Sequence, residues 1–286
     1  MKYLITGGKG QLARSFVRRL EKLCRDCVVP DESRLDITDA AAISECIDAA
    51  KPSFIINCAA YNLVDKAEGE PIAAYAVNAT GPKYLAQAAA RHKAVLVHFG
   101  SDYVFDGLKE QGTYTEDDAT NPLNEYGKSK LAGERHVLEE LDQCLILRLS
   151  WVFGAGKQNF IYKLTQWAGN NEYLKIACDE FSVPTSCETV VDVTLKALDR
   201  GLTGRHHLTN SGFCSRYEWA RMILQSLGID KFVRPVSMDS FHLPAKRPQF
   251  SAMSNDRISR LLGLSIPSWE EGVQLYLKEG GLTHNE

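Results

Sequence analysis

The feature that most constrains the fold is a regular alternation, over the first 150 residues, of short apolar runs with longer amphipathic or alanine-rich segments. The apolar runs have the length of strands, and their nearly continuous hydrophobicity is typical of strands covered by helices on both faces. Such alternation predicts a parallel sheet with helical crossovers. Strands are predicted at 3–6, 27–29, 53–58, 95–100 and 144–150, and helices at 11–23, 39–50, 68–91 and 125–141, the third interrupted at Pro71 and Gly81-Pro82.

A glycine-rich turn follows the first predicted strand and opens the first predicted helix. Glycines allow a tight turn and let backbone N–H groups approach a pyrophosphate, which the positive end of the helix dipole also attracts. Many strand-to-helix turns contain glycine for backbone reasons alone, so the position directly after the first strand supplies most of the meaning. The turn predicts a dinucleotide site with contacts from Gly7, Gly10, Gln11 and Leu12.

An acidic residue near the end of the second strand indicates where the ribose of the cofactor lies. Asp31 stands 21 positions after Gly10, close to the spacing at which an acid accepts bonds from ribose hydroxyls. Its charge disfavours a 2′-phosphate, whereas Arg34 can compensate, so NAD(H) and NADP(H) both remain open. Small residues after the third strand leave room for the cofactor, and contacts are predicted there from Cys58, Ala59, Ala60 and Tyr61.

The alternation becomes irregular after residue 150, where prolines punctuate shorter elements. We therefore predict a Rossmann-like, doubly wound α/β domain over residues 1–150. Residues 151–286 are predicted to form mainly a smaller substrate-binding region, with some segments returning to the sheet.

The most specific chemical pattern is a tyrosine and a lysine four positions apart, Tyr126 and Lys130, at the start of the helix before the fifth strand. This spacing places both side chains on one helical face. A nearby ammonium is expected to lower the pKa of the phenol, making Tyr126 a general acid. Ser101 follows the fourth strand at the sheet edge where ligands collect. Ser101, Tyr126 and Lys130 are the predicted catalytic residues, because their order on successive units rarely arises by chance.

Composition excludes several other classes of function. The chain has 33 basic and 36 acidic residues and no basic stripe, which argues against nucleic acid as a partner. No apolar run is long enough for a signal peptide or a membrane span, so we expect a cytoplasmic protein without membrane contact. The eight cysteines are scattered and favour reduced core thiols over zinc or disulfides.

Longer strings of residues resemble the extended short-chain dehydrogenases and, within them, the dTDP-4-dehydrorhamnose reductases. The resemblance runs almost from end to end, and it is most specific in two segments, Ser101–Gly107 with Asp102 and Arg148–Gly154 with Trp151. It implies reduction of the C4 ketone of a dTDP-4-dehydro-6-deoxyhexose by NAD(P)H, in nucleotide-sugar and cell-surface polysaccharide biosynthesis. Departures include Ala13 for a usual glycine, Ser101 for threonine, Cys58, and Glu180 where glutamine is common.

The resemblance also implies further site residues. It places Asp36, Ile37 and Asn78 at the cofactor, together with Tyr126 and Lys130. It places the following residues at the nucleotide sugar: Ser101, Asp102, Tyr103, Tyr126, Trp151, Asn159 and Arg247. Arg247 is assigned to the diphosphate, since a guanidinium presents paired donors to phosphate oxygens, although a solvated surface role fits its sequence context equally well.

Some family members are associated with magnesium at a dimer interface. The sequence contains no carboxylate cluster that indicates a metal, so none is predicted, and a homodimer is left open. Two alternatives also stay open: an epimerase or dehydratase acting on a nucleotide sugar with retained NAD, and a non-catalytic cofactor-binding regulatory subunit. The presence of Ser101, Tyr126 and Lys130 favours a reductase.

Overall fold

The computed structural model describes residues 1–280 and has a six-stranded parallel sheet at its centre. The strands of this sheet are β1 (Lys2–Thr6), β2 (Asp26–Val28), β3 (Phe54–Asn57), β4 (Val95–Ser101), β5 (Cys144–Leu149) and β10 (Gly204–His207). Their order is β10-β5-β4-β3-β1-β2, and every neighbouring pair is parallel. The predicted α/β fold class is thereby confirmed, and both ends of each of the five predicted strands lie within one residue of the expected positions.

Helices cover both faces of this sheet. Their bounds in the first half are α1 (Gln11–Lys22), α2 (Ala40–Ala50), α3 (Val64–Ala67), α4 (Pro71–Tyr75), α5 (Gly81–His92) and α6 (Glu125–Glu140). Successive side chains of a strand point to opposite faces, and accordingly Tyr3 and Ile5 of β1 belong to one apolar core while Leu4 belongs to another. The sheet is therefore buried from both sides, as the continuous apolar runs of the sequence predict.

The third predicted helix differs from the expectation at its proline positions. Pro71 begins α4, but the chain continues as helix through Gly81 and Pro82 into α5. A π-helical turn at Ala76–Thr80 joins the two helices. Pro82 is the second residue after this π-helical turn. Such π-helical turns occur often near functional sites, and this one carries Asn78.

The second half supplies the remaining elements. Its helices are α7 (Phe160–Asn170), α8 (Cys187–Asp199), α9 (Arg216–Ser226), α10 (Asp256–Leu262) and α11 (Trp269–Lys278). Its other strands are β6 (Val152–Phe153), β7 (Leu174–Ala177), β8 (Phe181–Ser182), β9 (Thr185–Ser186), β11 (Cys214–Ser215) and β12 (Val233–Val236), and they pair as β6 with β9, β7 with β12 and β8 with β11.

The two halves share one large apolar core. β10 extends the parallel sheet beside β5, and residues of α8 such as Val190 and Val191 pack in the same apolar core as Phe16 of α1. A separate core around Phe153 and Trp219 lies in the second half. The boundary near residue 150 stays a prediction, and residues 281–286 of the second predicted region lie outside the described residues.

Within residues 1–280, no helix has both the length and the apolar character needed to cross a membrane.

Candidate active site

A cleft of about 340 Å³ opens where the carboxyl ends of β3, β4 and β5 meet the first turn of α1. Ligands of open α/β sheets bind at this edge. Residues from both halves of the chain line the cleft. Those of the predicted site residues that line it are Gly10, Gln11, Leu12, Cys58, Ala59, Ala60, Ser101, Asp102, Tyr103, Tyr126, Lys130 and Trp151.

The glycine turn forms one wall of the cleft and leaves the start of α1 open. Gly7 has a φ of +65°, and a Cβ atom there would lie 2.7 Å from the backbone nitrogen of Ala59. The turn is closed by a 2.9 Å hydrogen bond from the Gly10 N–H to the Gly7 carbonyl. Among residues 1–280, no side chain caps the first turn of α1, so its N–H groups can bind an anion.

Gln11 adds an unsatisfied acceptor beside that turn. Its Nε2 donates to the Val152 carbonyl at 3.1 Å, which connects the glycine turn to the second half. Its Oε1 is buried and has no hydrogen-bond partner within residues 1–280. Buried polar atoms without partners are rare in folded chains. The uncapped turn and the close backbone approach at Gly7 fit a bound dinucleotide.

The turn after β3 is fixed by side chains rather than by a regular element. Thr6 Oγ1 donates to Asn57 Oδ1 at 2.6 Å and accepts from the Ala59 N–H at 3.2 Å. Asn78 Oδ1 accepts from the Tyr61 N–H at 2.9 Å, and its Nδ2 donates to the Tyr61 carbonyl at 3.0 Å and to Ser129 Oγ at 3.0 Å. Asn78 thus supports the cleft from behind, with its amide occupied by protein partners.

Ser101, Tyr126 and Lys130 converge on the cleft. Ser101 ends β4, and α6 carries the other two. Asn124 caps α6 by accepting from the Gly127 N–H at 2.8 Å. A Cβ on Gly127 would lie 2.3 Å from the Tyr103 carbonyl oxygen, so glycine permits the close contact that seats Tyr126. Lys130 Nζ donates to the Phe99 carbonyl at 2.6 Å.

Burial is the largest cause of the pKa shifts of Tyr126 and Lys130. It raises the pKa of Tyr126 to about 12, against a lowering by the hydrogen bond with Ser101, and Asp102 adds a smaller increase. Burial also lowers the pKa of Lys130 to about 8, partly offset by Glu134. The expected lowering of the Tyr126 pKa by Lys130 is therefore wrong for the chain by itself, because desolvation disfavours the phenolate. Tyr126 retains its proton at neutral pH.

Asp102 is a buried carboxylate held by three hydroxyl groups. Its Oδ2 accepts from Ser251 Oγ at 2.6 Å and from Ser182 Oγ at 2.8 Å, and its Oδ1 accepts from Ser101 Oγ at 3.3 Å. Burial raises the pKa of Asp102 to about 6, against lowering by the Ser251 and Ser182 hydroxyls and by Arg216. The carboxylate positions Ser101. Its pKa of about 6 lies just below neutral pH.

We expect Asp102→Asn to remove a pH dependence of stability. Because the folded-state pKa is raised from 3.8 to about 6, the stabilising contribution of Asp102 is present below pH 4 and is lost as the pH rises towards 6. The shift corresponds to about 3 kcal/mol. Urea unfolding of both proteins at pH 4 and pH 7 measures it, and a difference between wild type and Asp102→Asn that is equal at both pH values contradicts the raised pKa.

Trp151 and Arg216 form another part of the cleft wall, and Glu180 holds Arg216 in place. The Arg216 guanidinium lies 3.5 Å from the centre of the Trp151 ring, and its Nε donates to Glu180 Oε2 at 3.1 Å. Trp219 stacks on Trp151 with ring centres 5.6 Å apart. Trp151 has a φ of +39°, which is rare for a large residue and is typical of functional sites.

The structure does not bring two predicted substrate-binding residues to the cleft lining. Asn159 caps α7 by accepting from the Tyr162 N–H, and its Nδ2 donates to the Gly154 and Gly156 carbonyls at 2.6 and 2.8 Å. Arg247 forms a bidentate pair with Asp65, with nitrogen to oxygen distances of 2.9 and 2.7 Å. Both side chains are engaged with the protein, so their assignment to the substrate lacks geometric support.

Several predicted cofactor contacts also lie outside the cleft lining. Asp31 accepts from the Ser33 N–H at 3.0 Å in an exposed turn, and Asp36 accepts from Thr38 through its N–H and hydroxyl at 2.8 and 2.7 Å. Ile37 is buried in the core. The others outside this lining are Gly7, Tyr61 and Asn78.

Sequence reasoning did not assign a role to Arg216, Ser182 or Ser251. The serines lie far from Asp102 along the chain and carry no motif of their own. Arg216 does carry a signal, since it is a cation in the first turn of α9, where the helix dipole favours an acid. No group of three or more His, Cys, Asp or Glu side chains that could hold a metal ion occurs within residues 1–280.

The doubly wound sheet, the open glycine turn, and a serine, a tyrosine and a lysine at the carboxyl edge define an oxidoreductase of the extended short-chain dehydrogenase type. Comparison with known proteins identifies the family within this class of oxidoreductases. The family model of the RmlD substrate binding domain matches residues 1–281. A dTDP-4-dehydrorhamnose reductase of Aggregatibacter actinomycetemcomitans is 35% identical, with 96% of this chain and 97% of the relative covered.

Solved structures agree with this result. A dTDP-4-dehydrorhamnose reductase of Clostridium acetobutylicum has a TM-score of 0.94 and 37% identity, with 98% and 99% of the two chains covered. One of Bacillus anthracis, solved in complex with NADP, has a TM-score of 0.93 and 34% identity, with 97% and 99% covered. The chain belongs to the RmlD family, that of the dTDP-4-dehydrorhamnose reductases. Its predicted resemblance and enzyme class, an NAD(P)H-dependent oxidoreductase, are confirmed.

Proposed function

We propose that this chain reduces the C4 ketone of dTDP-4-dehydro-L-rhamnose to dTDP-L-rhamnose with NADPH or NADH. The observation that carries the proposal is the convergence of Ser101, Tyr126 and Lys130 in one cleft with the open start of α1. Family membership supports the substrate, and it favours a reductase over the alternatives of an epimerase or a regulatory subunit.

Each cleft residue has a separate role in the proposed reaction. A bound dihydronicotinamide supplies the hydride for the ketone carbon. Tyr126 is protonated at neutral pH, so its hydroxyl can donate a proton to the ketone oxygen as negative charge develops there. Ser101 donates its hydroxyl proton to Asp102 before substrate binds, and when that proton turns to the ketone oxygen it gives the oxygen a second hydrogen bond. Lys130, anchored on the Phe99 carbonyl, supplies a cationic donor to the same cleft.

The glycine turn is proposed to hold the cofactor's pyrophosphate on the first N–H groups of α1. Gln11, Leu12 and the small residues Ala59 and Ala60 line the adjacent space. Trp151 and Tyr103 are proposed to contact the sugar from the other side. A homodimer and a magnesium ion stay open for this chain, and light scattering with and without a chelator tests both.

The direct test is an assay of the purified chain with dTDP-4-dehydro-L-rhamnose and each reduced cofactor. We expect substrate-dependent loss of dihydronicotinamide absorbance and formation of dTDP-L-rhamnose, and comparison of NADPH with NADH gives the cofactor preference. If neither cofactor is oxidised under these conditions, the proposed reaction is wrong. NAD that stays tightly bound through purification supports the epimerase alternative instead.

A further inference from the structure

Arg216 stands out among the cations near the cleft. Of the residues that the structure describes, Lys130 and Arg216 are the two cationic side chains in the cleft lining. Lys130 is 3% exposed and its Nζ is bound to the Phe99 carbonyl. Arg247 is paired with both oxygens of Asp65. Among the described residues of the lining, Arg216 is therefore the cation that remains for an anionic group entering the cleft.

The position of Arg216 is fixed from several sides. Its backbone N–H donates to the Glu180 carbonyl at 3.1 Å, and its Nε donates to Glu180 Oε2 at 3.1 Å. Strand β11, directly before it, pairs with β8, directly after Glu180. The guanidinium also lies 5.3 Å from the centre of the Phe160 ring. These contacts hold the plane of the guanidinium against Trp151.

The contacts leave the outer part of the guanidinium available. The structure records a hydrogen bond from Nε to Glu180 and, within residues 1–280, none from Nη1 or Nη2. The Arg216 side chain is 21% exposed, and the residue lines the cleft. Two adjacent terminal nitrogens in one plane match the spacing of phosphate oxygens.

The local sequence otherwise disfavours a cation at this point. Arg216 is the first residue of α9, where the partial positive charge of the helix repels a guanidinium. A position that breaks a local rule and is held by a dedicated partner is typical of a functional site. Glu180 supplies that partner and is itself buried, with 6% exposure.

We propose that Arg216 determines specificity by binding the diphosphate of the nucleotide-sugar substrate, with Glu180 and Trp151 orienting its guanidinium. This proposal rests on the proposed function for the identity of the nucleotide. Arg216 takes the role that sequence reasoning gave to Arg247. The Nη groups donate to phosphate oxygens, and Trp151 remains in place to contact the sugar.

The test compares the affinities of dTDP, thymidine and inorganic pyrophosphate for the NADP⁺-saturated protein by calorimetry. For Arg216→Gln we expect the Kd of dTDP and of pyrophosphate to rise about 10- to 100-fold, while the Kd of thymidine stays within about twofold. Arg216→Lys should recover part of the loss, because it keeps the charge without the planar fork. Arg221→Gln, on the same helix but exposed, is the matched control and should change none of these values.

A structural role for Arg216 would weaken thymidine and dTDP equally, and that outcome overturns the proposal. Weaker binding of NADP⁺ with unchanged dTDP binding also overturns it, since the guanidinium would then serve the cofactor. Because these are binding measurements, they are separate from the assay of turnover. Wild type that reduces the sugar while Arg216→Gln keeps its dTDP affinity refutes the role of Arg216 and leaves the proposed function intact.

Discussion

Replacing Tyr126 with phenylalanine is expected to lower kcat by about 10³-fold, the usual contribution of a positioned proton donor. The substitution removes only the hydroxyl, which is buried beside Ser101. The ring keeps its edge contact with Tyr103, whose centre lies 5.8 Å away, so the shape of the cleft is retained. Steady-state kinetics measure the loss, and fluorescence titration with NADPH should show an unchanged Kd.

The matched control is Tyr84→Phe on α5, which packs against the core and lies outside the cleft lining. It should leave kcat within about twofold of wild type. If Tyr126→Phe retains near-normal turnover, another group donates the proton, and the assignment of Tyr126 as general acid is wrong. If NADPH binding falls together with kcat, the loss reflects a damaged cleft instead of a missing donor.

The largest expected loss of stability comes from breaking the buried ion pair between Glu134 and Arg148. The exposed fractions of their side chains are 1% and 0%. Arg148 donates to Glu134 through Nε at 3.0 and 3.1 Å and through Nη2 at 2.8 Å. Glu134→Gln leaves a buried guanidinium without its counter-charge, so we expect a loss of 3–5 kcal/mol in the free energy of unfolding, about the usual cost of such a change.

Urea denaturation measures this loss, with Glu139→Gln on the exposed side of α6 as the matched control. Removing both charges should be less harmful than removing one, because an apolar replacement of the pair leaves no unpaired ion. Glu134→Gln combined with Arg148→Met therefore tests the cause. A double variant less stable than Glu134→Gln alone would show that packing, and not charge, accounts for the loss. The pair joins α6 to β5, so it also secures the helix that carries Tyr126 and Lys130.

The fold was predictable because its pattern is local. The apolar runs that became β1, β3, β4 and β5 are each contiguous in the sequence, and periodicity alone gives their type. The cleft position of Ser101, Tyr126 and Lys130 followed from the same pattern, since strand ends of a parallel sheet meet at one edge. Their catalytic roles stay predictions until kinetics test them.

The partners of the polar side chains were not predictable, because they come from distant parts of the chain. Arg247 pairs with Asp65 across 182 residues, and Ser251 reaches Asp102 across 149. No local pattern indicates such pairs. The same limit applies to the Tyr126 pKa, which depends on how much water the folded cleft excludes.

The left-handed backbone at Trp151 restricts how this part of the cleft wall can be redesigned. A replacement must accept a φ of +39°, which glycine and asparagine do most readily and β-branched residues do poorly. Replacement by glycine or asparagine would remove the aromatic surface of Trp151. Engineering of the pocket is therefore better directed at the residues that surround the indole, such as Phe160 and Trp219, so that the ring is shifted without being replaced.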